Sequence, residues 1–302
     1  MQAKNATGQI ELLDTATLAR LSSMQLLAKA VVEGFILGLH KSPFRGFSVE
    51  FAEYRAYAPG DDIKHIDWKV YAKTDRYYVK LFEEETNLAC HVVLDASGSM
   101  GYGSQPLTKL QYAARMAACL LYFMMGQRDA AGLAIFDTAL REFLPARLRQ
   151  SHLQRILDTL EKCAPGNETD LAQPLHDVAE AIKKRGLVVV ISDLLGDIAA
   201  LQYALQHLKF AGHDIIVFQV LDPHELEFPF EQLIEFTDLE TGEKVKTSGR
   251  CIREHYKQEF DAHQAAVRDA LADLQIDYAL FDTRMPLDVA LAEYLYKRAK
   301  AG

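Results

Sequence analysis

The sequence predicts an α/β fold in which a mainly parallel β-sheet is covered by helices on both faces. From residue 88 onward, short apolar runs rich in β-branched and aromatic residues alternate with longer segments of helical periodicity. Strands buried on both faces are continuous apolar runs, as at residues 188–191. Residues 1–87 lack this alternation, and we predict that they form an extension packed on a domain of residues 88–302.

Six short strands and four covering helices are predicted in chain order. The strands, which are rich in strand-favouring residues, are placed at residues 91–94, 132–136, 141–144, 187–191, 215–221 and 278–281. The helices are placed at residues 107–125, 152–163, 171–185 and 198–210. In the last of these, Leu201, Leu205 and Leu208 form one apolar stripe, which is typical of a helix that packs on a sheet.

The remaining predicted elements are a hairpin and three helices. Two short strands around a turn that contains Gly242 predict an inserted hairpin at about residues 233–247. A long amphipathic helix is predicted at residues 252–274, and a last one begins near Pro286, because proline is favoured at the first helical position. A short helix is also predicted at residues 15–24.

Composition and charge exclude several classes of function. The chain has 302 residues, of which 49% are hydrophobic, so it can bury a large core. Acidic residues outnumber basic ones by 42 to 33, and the net charge of -9 argues against a nucleic-acid partner. The four cysteines have no zinc-type spacing, and no apolar stretch reaches the roughly 20 residues of a membrane span. With no signal-peptide pattern, the protein is expected in the cytoplasm.

The residues that indicate chemistry directly follow the first strand of the main domain. Asp95, Ser97 and Ser99 occupy alternate positions of a tight turn, and Gly98 is expected to let the backbone fold between them. This turn stands at the carboxyl end of a strand, where open parallel sheets bind ligands. Oxygen donors without histidine or thiolate favour one hard cation, Mg2+ or alternatively Mn2+ or Ca2+, over zinc.

Two later residues complete the candidate set. Asp193 follows the strand at residues 187–191, and Thr169 lies in the loop before a predicted helix, so both are expected at the same edge of the sheet. A second interpretation stays open for Thr169, since it or Asp170 could be the N-cap of that helix. The Asp-x-Ser-x-Ser turn alone could equally be a capping turn.

The five residues together resemble the metal-ion-dependent adhesion site of von Willebrand factor A domains. The resemblance implies a von Willebrand factor A-like fold for the main domain and an ion that touches Ser97, Ser99 and Thr169 directly or nearly so. It implies that Asp95 and Asp193 act largely through water, and that an open position accepts a carboxylate from a partner protein. A bound metal with two carboxylate ligands gains from a further anionic oxygen. We therefore predict a binding function with no catalytic residues.

A second signature lies ahead of the main domain, in the segments 42–46, 50–57, 59–62, 66–68 and 79–83. It resembles the bacterial domain-of-unknown-function family fifty-eight, which joins this signature to an A-type domain. Members are often found alongside MoxR-type AAA+ ATPases. The resemblance implies such an ATPase and a client protein as partners, with this chain as an adaptor or co-chaperone in client assembly or metallation. We interpret its charged residues as a salt-bridged packing layer: Glu50, Glu53, Arg55, Asp61, Asp62, Asp67 and Arg76.

Two other functions remain open. A metal-assisted hydrolase could use the open position to activate water, with Glu168 or Asp170 as the nearby acids. A scaffold of the same fold could bind no metal at all. A zinc-protease helix starting at His224-Glu225 is excluded, because Phe228 stands where the second histidine is needed.

Overall fold

The computed structural model describes residues 24–29, 31–32, 54–56, 71, 77–80, 88–166, 172–239 and 242–291. The chain divides into two compact units, residues 1–36 with 88–302 and residues 37–87. In the smaller unit, β1 (Tyr54–Ala56) pairs antiparallel with β2 (Tyr78–Lys80), and the rings of Tyr71 and Tyr77 stack. Most of the predicted charged signature lies outside the described residues.

The larger unit is built on a sheet of six strands within the described part of the chain. Their bounds are β3 (Ala89–Asp95), β4 (Ala130–Phe136), β5 (Leu140–Arg147), β6 (Leu187–Ser192), β7 (Asp214–Leu221) and β10 (Asp277–Asp282). Their order across the sheet is β10-β7-β6-β3-β4-β5. Five strands run parallel, and β5 pairs antiparallel with β4 at one edge. The mainly parallel sheet is therefore confirmed, and each of the six predicted strands lies within an observed one.

Helices cover both faces of this sheet, as predicted. Their bounds are α1 (Lys109–Gly126), α2 (Gln150–Glu161), α3 (Ala172–Ala181), α4 (Ile198–Phe210), α5 (Pro223–Glu227) and α6 (Gly249–Asp273). Side chains of α1 and α2 share one buried cluster with one face of the sheet, and those of α3, α4 and α6 share a second cluster with the other face. Within β3, Val92 belongs to the first cluster and Val93 to the second, because successive strand residues point to opposite faces.

Part of the predicted N-terminal extension belongs to the core of the larger unit. Residues 24–29 and 31–32 are helical, and Leu27, Ala28 and Val31 are at most 1% exposed within the same cluster as α1. This apolar face explains why these residues group with the main sheet, whereas residues 37–87 form the separate unit. The predicted boundary at residue 88 stays a prediction. Except for Met24, the helix predicted at residues 15–24 lies outside the described residues.

The predicted hairpin is confirmed, with β8 (Leu233–Thr237) paired antiparallel to β9 (Lys244–Ser248). Gly242 has a φ of 75°, a backbone conformation that favours glycine in this turn. Phe236 anchors the hairpin, since its ring packs edge-on against Phe230 with centroids 5.5 Å apart. The final helix is also present after Pro286, at residues 287–291. No helix within the described ranges has both the length and the apolar character needed to cross a bilayer.

Candidate metal centre

The candidate centre lies at the carboxyl edge of the sheet, between β3 and β6. These strands are parallel neighbours, and Leu94, one residue before Asp95, is paired with Ile191, two residues before Asp193. The chain proceeds from β3 to β4 and β5 on one side and returns to β6 on the other. At such a reversal of strand order, open α/β sheets bind ligands in a crevice at the carboxyl ends of the strands, and the candidate centre occupies this position.

The turn after β3 holds three of the predicted residues together. Asp95 is fully buried; its Oδ1 accepts a hydrogen bond from Ser97 N at 2.9 Å, and its Oδ2 accepts one from Ser192 Oγ at 2.6 Å. The Oγ atoms of Ser97 and Ser99 are 3.1 Å apart. Gly98 has φ -58° and ψ -41°, a conformation open to every residue. Our expectation that the turn needs the backbone freedom of glycine at this position is therefore wrong.

Asp193 reaches the same edge from β6. Its side chain is 1% exposed, its Oδ1 accepts a weak hydrogen bond from Leu195 N at 3.3 Å, and its main-chain oxygen accepts one from Gln219 Nε2 at 2.8 Å. Leu194 has a φ of 57°, a left-handed conformation that is uncommon for this residue type. Strained backbone of this kind persists where the surrounding contacts require it, and here it turns the chain sharply beside the candidate ligand.

Thr169 lies outside the described residues, but the start of its loop is placed. Gly166 N donates a hydrogen bond of 2.6 Å to the carbonyl oxygen of Ala96, in the middle of the Asp95 turn. A Cβ on Gly166 would stand 2.2 Å from Oδ2 of Asp137, so a larger residue requires the Asp137 side chain or the loop to shift. The assignment of Thr169 as a ligand stays a prediction, as do those of the other four residues.

The structure adds a buried lysine that the sequence analysis missed. Lys109, the first residue of α1, is 0% exposed, and its Nζ lies 2.8 Å from Oδ2 of Asp193 and 2.5 Å from Oε1 of Glu225. The other oxygen of Glu225 accepts a hydrogen bond from Asp222 N at 2.8 Å, which forms the capping box of α5. A cation at the first position of a helix opposes the helix dipole, and this was a usable signal in the sequence.

The charges of the centre influence one another strongly. Burial, together with the neighbouring carboxylate of Asp193, raises the pKa of Asp95 to about 7, although hydrogen bonds from Ser192 and Ser97 oppose the shift. Burial lowers the pKa of Lys109, but Asp193 and Glu225 outweigh that effect, so that the net shift is upward. Burial also raises the pKa of Glu225, against the influence of Lys109. Three carboxyl groups and one ammonium group are thus brought together at this edge of the sheet.

The residues present fit a hard divalent cation. Two oxygens on neighbouring octahedral positions about 2.1 Å from Mg2+ are about 3 Å apart, and the Ser97 and Ser99 hydroxyls are separated by 3.1 Å. A cation would also relieve the repulsion that raises the pKa of Asp95. Within the described ranges no three His, Cys, Asp or Glu side chains form a metal-binding group, so the donor set depends on these hydroxyls.

The acids named for a hydrolase, Glu168 and Asp170, lie outside the described residues. His224 and Glu225 have structural roles within α5 instead. His224 N donates to Oδ1 of Asp222 at 2.8 Å, and Glu225 completes the capping box and binds Lys109. In the sequence these two residues indicated only a protease motif, so their place beside the candidate centre was missed.

Most of the chain matches a known protein family. A family model described as "Protein of unknown function DUF58" matches residues 53–266. The chain belongs to the DUF58 family. The resemblance to this family, inferred from the signature ahead of the main domain, is therefore confirmed. This DUF58 chain is 29% identical over 258 residues to the uncharacterized protein Rv1480 of Mycobacterium tuberculosis, which covers 84% of this chain and 81% of that protein.

Shorter and more distant similarities accompany this match. The uncharacterized protein MAV169 of Mycobacterium avium is 30% identical over 128 residues, or 41% of the DUF58 chain and 75% of that protein. The solved structure of BatB from Bacteroides thetaiotaomicron has a TM-score of 0.44 at 16% identity and covers 70% of this chain and 99% of that one. The VWA domain of SpRpn10 has a TM-score of 0.42 at 13% identity, over 68% and 94% of the two chains.

Proposed function

We propose that this DUF58 chain is a protein-interaction module that binds a partner through one divalent metal ion. The residues proposed to hold the ion are Asp95, Ser97, Ser99, Thr169 and Asp193. The observation that most supports this is the convergence of the two serine hydroxyls with two buried carboxylates where strand order reverses. Mg2+ is the proposed ion, with Mn2+ and Ca2+ as alternatives that accept the same oxygen donors.

The existing hydrogen bonds support different roles for the hydroxyls and the carboxylates. Both oxygens of Asp95 already accept hydrogen bonds, and Oδ2 of Asp193 is held by Lys109. We propose that these two carboxylates act mainly through bound water, whereas Ser97 and Ser99 contact the ion. When bound, the ion supplies an electrophilic position for one further anionic oxygen. That oxygen is proposed to be a carboxylate of the partner protein.

The rim of the crevice supports contact with a protein surface. Leu195 directly follows the turn at Leu194, and its side chain is 43% exposed beside the candidate ligand Asp193. An exposed leucine next to a charged anchor gives a partner an apolar contact around the bridging ion, as protein interfaces combine a central anchor with surrounding apolar area. We propose Leu195 as part of the docking surface.

We assign the partner class from the family resemblance. A MoxR-like AAA+ ATPase and a client protein are the proposed partners, and this chain is proposed to act as an adaptor or co-chaperone in client assembly or metallation. The chain lacks a phosphate-binding glycine loop with its lysine, so nucleotide hydrolysis is assigned to the ATPase.

Calorimetric titration tests the metal on which this function depends. Mg2+, Mn2+ and Ca2+ are titrated into chelator-treated wild type, Ser97→Ala/Ser99→Ala, and Ser151→Ala, a control serine exposed on α2. We expect one ion per wild-type and control chain and none for the double variant. A wild-type chain that binds none of the three ions would show the site to be wrongly assigned.

Capture of the ATPase tests the partner. Immobilised wild-type chain is incubated with the MoxR-like ATPase of the same organism, with Mg2+ or with chelator. We expect capture with Mg2+, and we expect Ser97→Ala/Ser99→Ala and Leu195→Asp to lose it. Equal capture with chelator would overturn the metal bridge. Phosphoesterase activity that disappears in Asp95→Ala would instead support the hydrolase.

A further inference from the structure

Lys109 joins the candidate ligands to a part of the fold that the proposed function does not use. Its ammonium contacts Asp193 at the end of β6 and Glu225 in α5, and the charged lysine side chain is 0% exposed. Buried ion clusters are poor stabilising devices, because the cost of removing the charges from water offsets most of their attraction. The location of this cluster, in direct contact with a candidate metal ligand, indicates a role in the charge balance of the centre.

We propose that Lys109 is a positioning residue that holds Asp193 and lowers the affinity of the centre for divalent cations. The inference rests on the proposed function, since it concerns the same ion. Lys109 binds Oδ2 of Asp193 at 2.8 Å, which leaves Oδ1 of this carboxylate toward the main chain of Leu195. The ammonium is a fixed positive charge next to a ligand, so it repels an incoming cation through a medium of low dielectric constant.

The balance of formal charge shows why this repulsion matters. Asp95, Asp193 and Glu225 contribute one negative charge each when ionised, and Lys109 contributes one positive charge. A divalent ion brings the sum to zero. Without Lys109, the same carboxylates and the same ion would leave one negative charge in excess, and the ion would be held more tightly. Lys109 therefore keeps metal binding reversible.

Glu225 allows the charge to be changed without breaking the local fold. Its Oε2 accepts the hydrogen bond from Asp222 N that completes the capping box of α5. Glutamine serves the same position in capping boxes, so Glu225→Gln removes the negative charge and keeps an oxygen acceptor for Asp222 N, while its NH2 group replaces the oxygen that accepts from Lys109 Nζ. The variant pair Glu225→Gln and Lys109→Met/Glu225→Gln then differs only in the lysine.

The experiment is a titration of Mg2+ and Mn2+ into chelator-treated wild type, Lys109→Met, Glu225→Gln and Lys109→Met/Glu225→Gln. Lys183→Met, at an exposed position, is the control for loss of a lysine charge. We expect Lys109→Met to bind at least about tenfold more tightly than wild type and Glu225→Gln at least about tenfold more weakly. The double variant, whose net charge equals that of wild type, is expected within about threefold of it, and Lys183→Met is expected unchanged.

The outcomes separate this inference from the proposed function. If Lys109→Met does not fold, the comparison of Glu225→Gln with the double variant still isolates the lysine, and the double variant should bind at least about threefold more tightly. Equal dissociation constants for these two, in a protein whose wild type binds metal, would overturn the role of Lys109 alone. A wild type that binds none of Mg2+, Mn2+ and Ca2+ in the calorimetric titration of the proposed function would overturn that function itself.

Discussion

The ammonium of Lys109 lies 2.8 Å from Oδ2 of Asp193, and the two side chains are 0% and 1% exposed. This ion pair connects the first residue of α1 to the end of β6, 84 residues later in the chain. The helix dipole disfavours a cation at that position of α1, so the carboxylates of Asp193 and Glu225 are what retain it. The elements that form the crevice are thus joined by charge as well as by packing.

Removal of the lysine should destabilise the metal-free protein. Lys109→Met leaves Asp193 and Glu225 without their cation, and loss of one partner of a buried pair costs about 3–5 kcal/mol of unfolding free energy. Urea unfolding in the presence of a chelator measures this. The exposed variant Lys183→Met should change the unfolding free energy by less than about 0.5 kcal/mol. A similarly small change for Lys109→Met would contradict the prediction.

Gly166→Ala should disturb the loop that leads to Thr169. The new Cβ would stand 2.2 Å from Oδ2 of Asp137, so the Asp137 side chain, the loop or both must shift, and a shift of the loop weakens the hydrogen bond from Gly166 N to the carbonyl oxygen of Ala96. We expect a loss of about 1–3 kcal/mol in unfolding free energy and weaker Mg2+ binding. Gly126→Ala is the matched control, because its Cβ meets nothing within 4 Å at the end of α1. The control should be neutral or stabilised by up to about 1 kcal/mol.

Stability should fall in mild acid because of His91. Burial, with a contribution from nearby His213, lowers the pKa of His91 to about 4, and its Nε2 accepts a hydrogen bond from Ala146 N. The unfolded chain, with a histidine pKa of about 6.5, binds more protons between pH 4 and 6.5. The stabilisation, about 3 kcal/mol, is therefore complete above about pH 6.5 and is lost as the pH falls toward 4.

Urea unfolding at pH 7.5, 6, 5 and 4.5 tests this dependence in wild type and His91→Gln. Glutamine keeps an acceptor for Ala146 N but does not titrate, so the stability of the variant should decline less over this interval. His255→Gln replaces an exposed histidine on α6 and should follow wild type. Identical pH profiles for all three proteins would rule out His91 as the source.

Phe236→Ala should loosen the hairpin without affecting the metal centre. The Phe236 ring packs against Phe228 and Phe230, with centroids 6.0 Å and 5.5 Å away, and it connects the hairpin to the segment that follows α5. We expect faster hydrogen exchange of the amides in β8 and β9 and an unchanged Mg2+ dissociation constant. Leu233→Ala, whose side chain is 77% exposed on the same strand, should leave exchange as in wild type. Uniformly faster exchange across the large sheet would contradict a local role.

The sequence was sufficient for the main sheet because its strands carry their own signal. Residues 187–191 form an uninterrupted apolar run, and all six residues of β6 are buried between two layers of helices. The turn with Asp95, Ser97 and Ser99 could be located for a similar reason, since it directly follows such a strand. The short helix α5 was not predicted, because five residues show no apolar period. Its proline and its capping box were nevertheless visible signals in the sequence.

Lys109 shows why the rest of the site could not be predicted. Its contact with Glu225 joins residues 116 positions apart, and Glu225 reaches it only because α5 folds directly after β7. Local propensity places Lys109 at the start of a helix but gives no information about its partner. Leu27, Ala28, Val31 and Val32 were likewise assigned to the extension, because the local sequence does not reveal which core they enter.

In β3, side chains point alternately to the two faces of the sheet, and the length of the strand therefore fixes the position of Asp95. Val92 and Leu94 enter one helical layer and Val93 enters the other, and the next residue is Asp95. A deletion of one residue within the strand would therefore turn the side chains on one side of the deleted position toward the opposite helical layer. If the pairing with the neighbouring strands were kept instead, Asp95 would move one position back into the sheet. The length of the strand is consequently as restricted as the identity of its last residue.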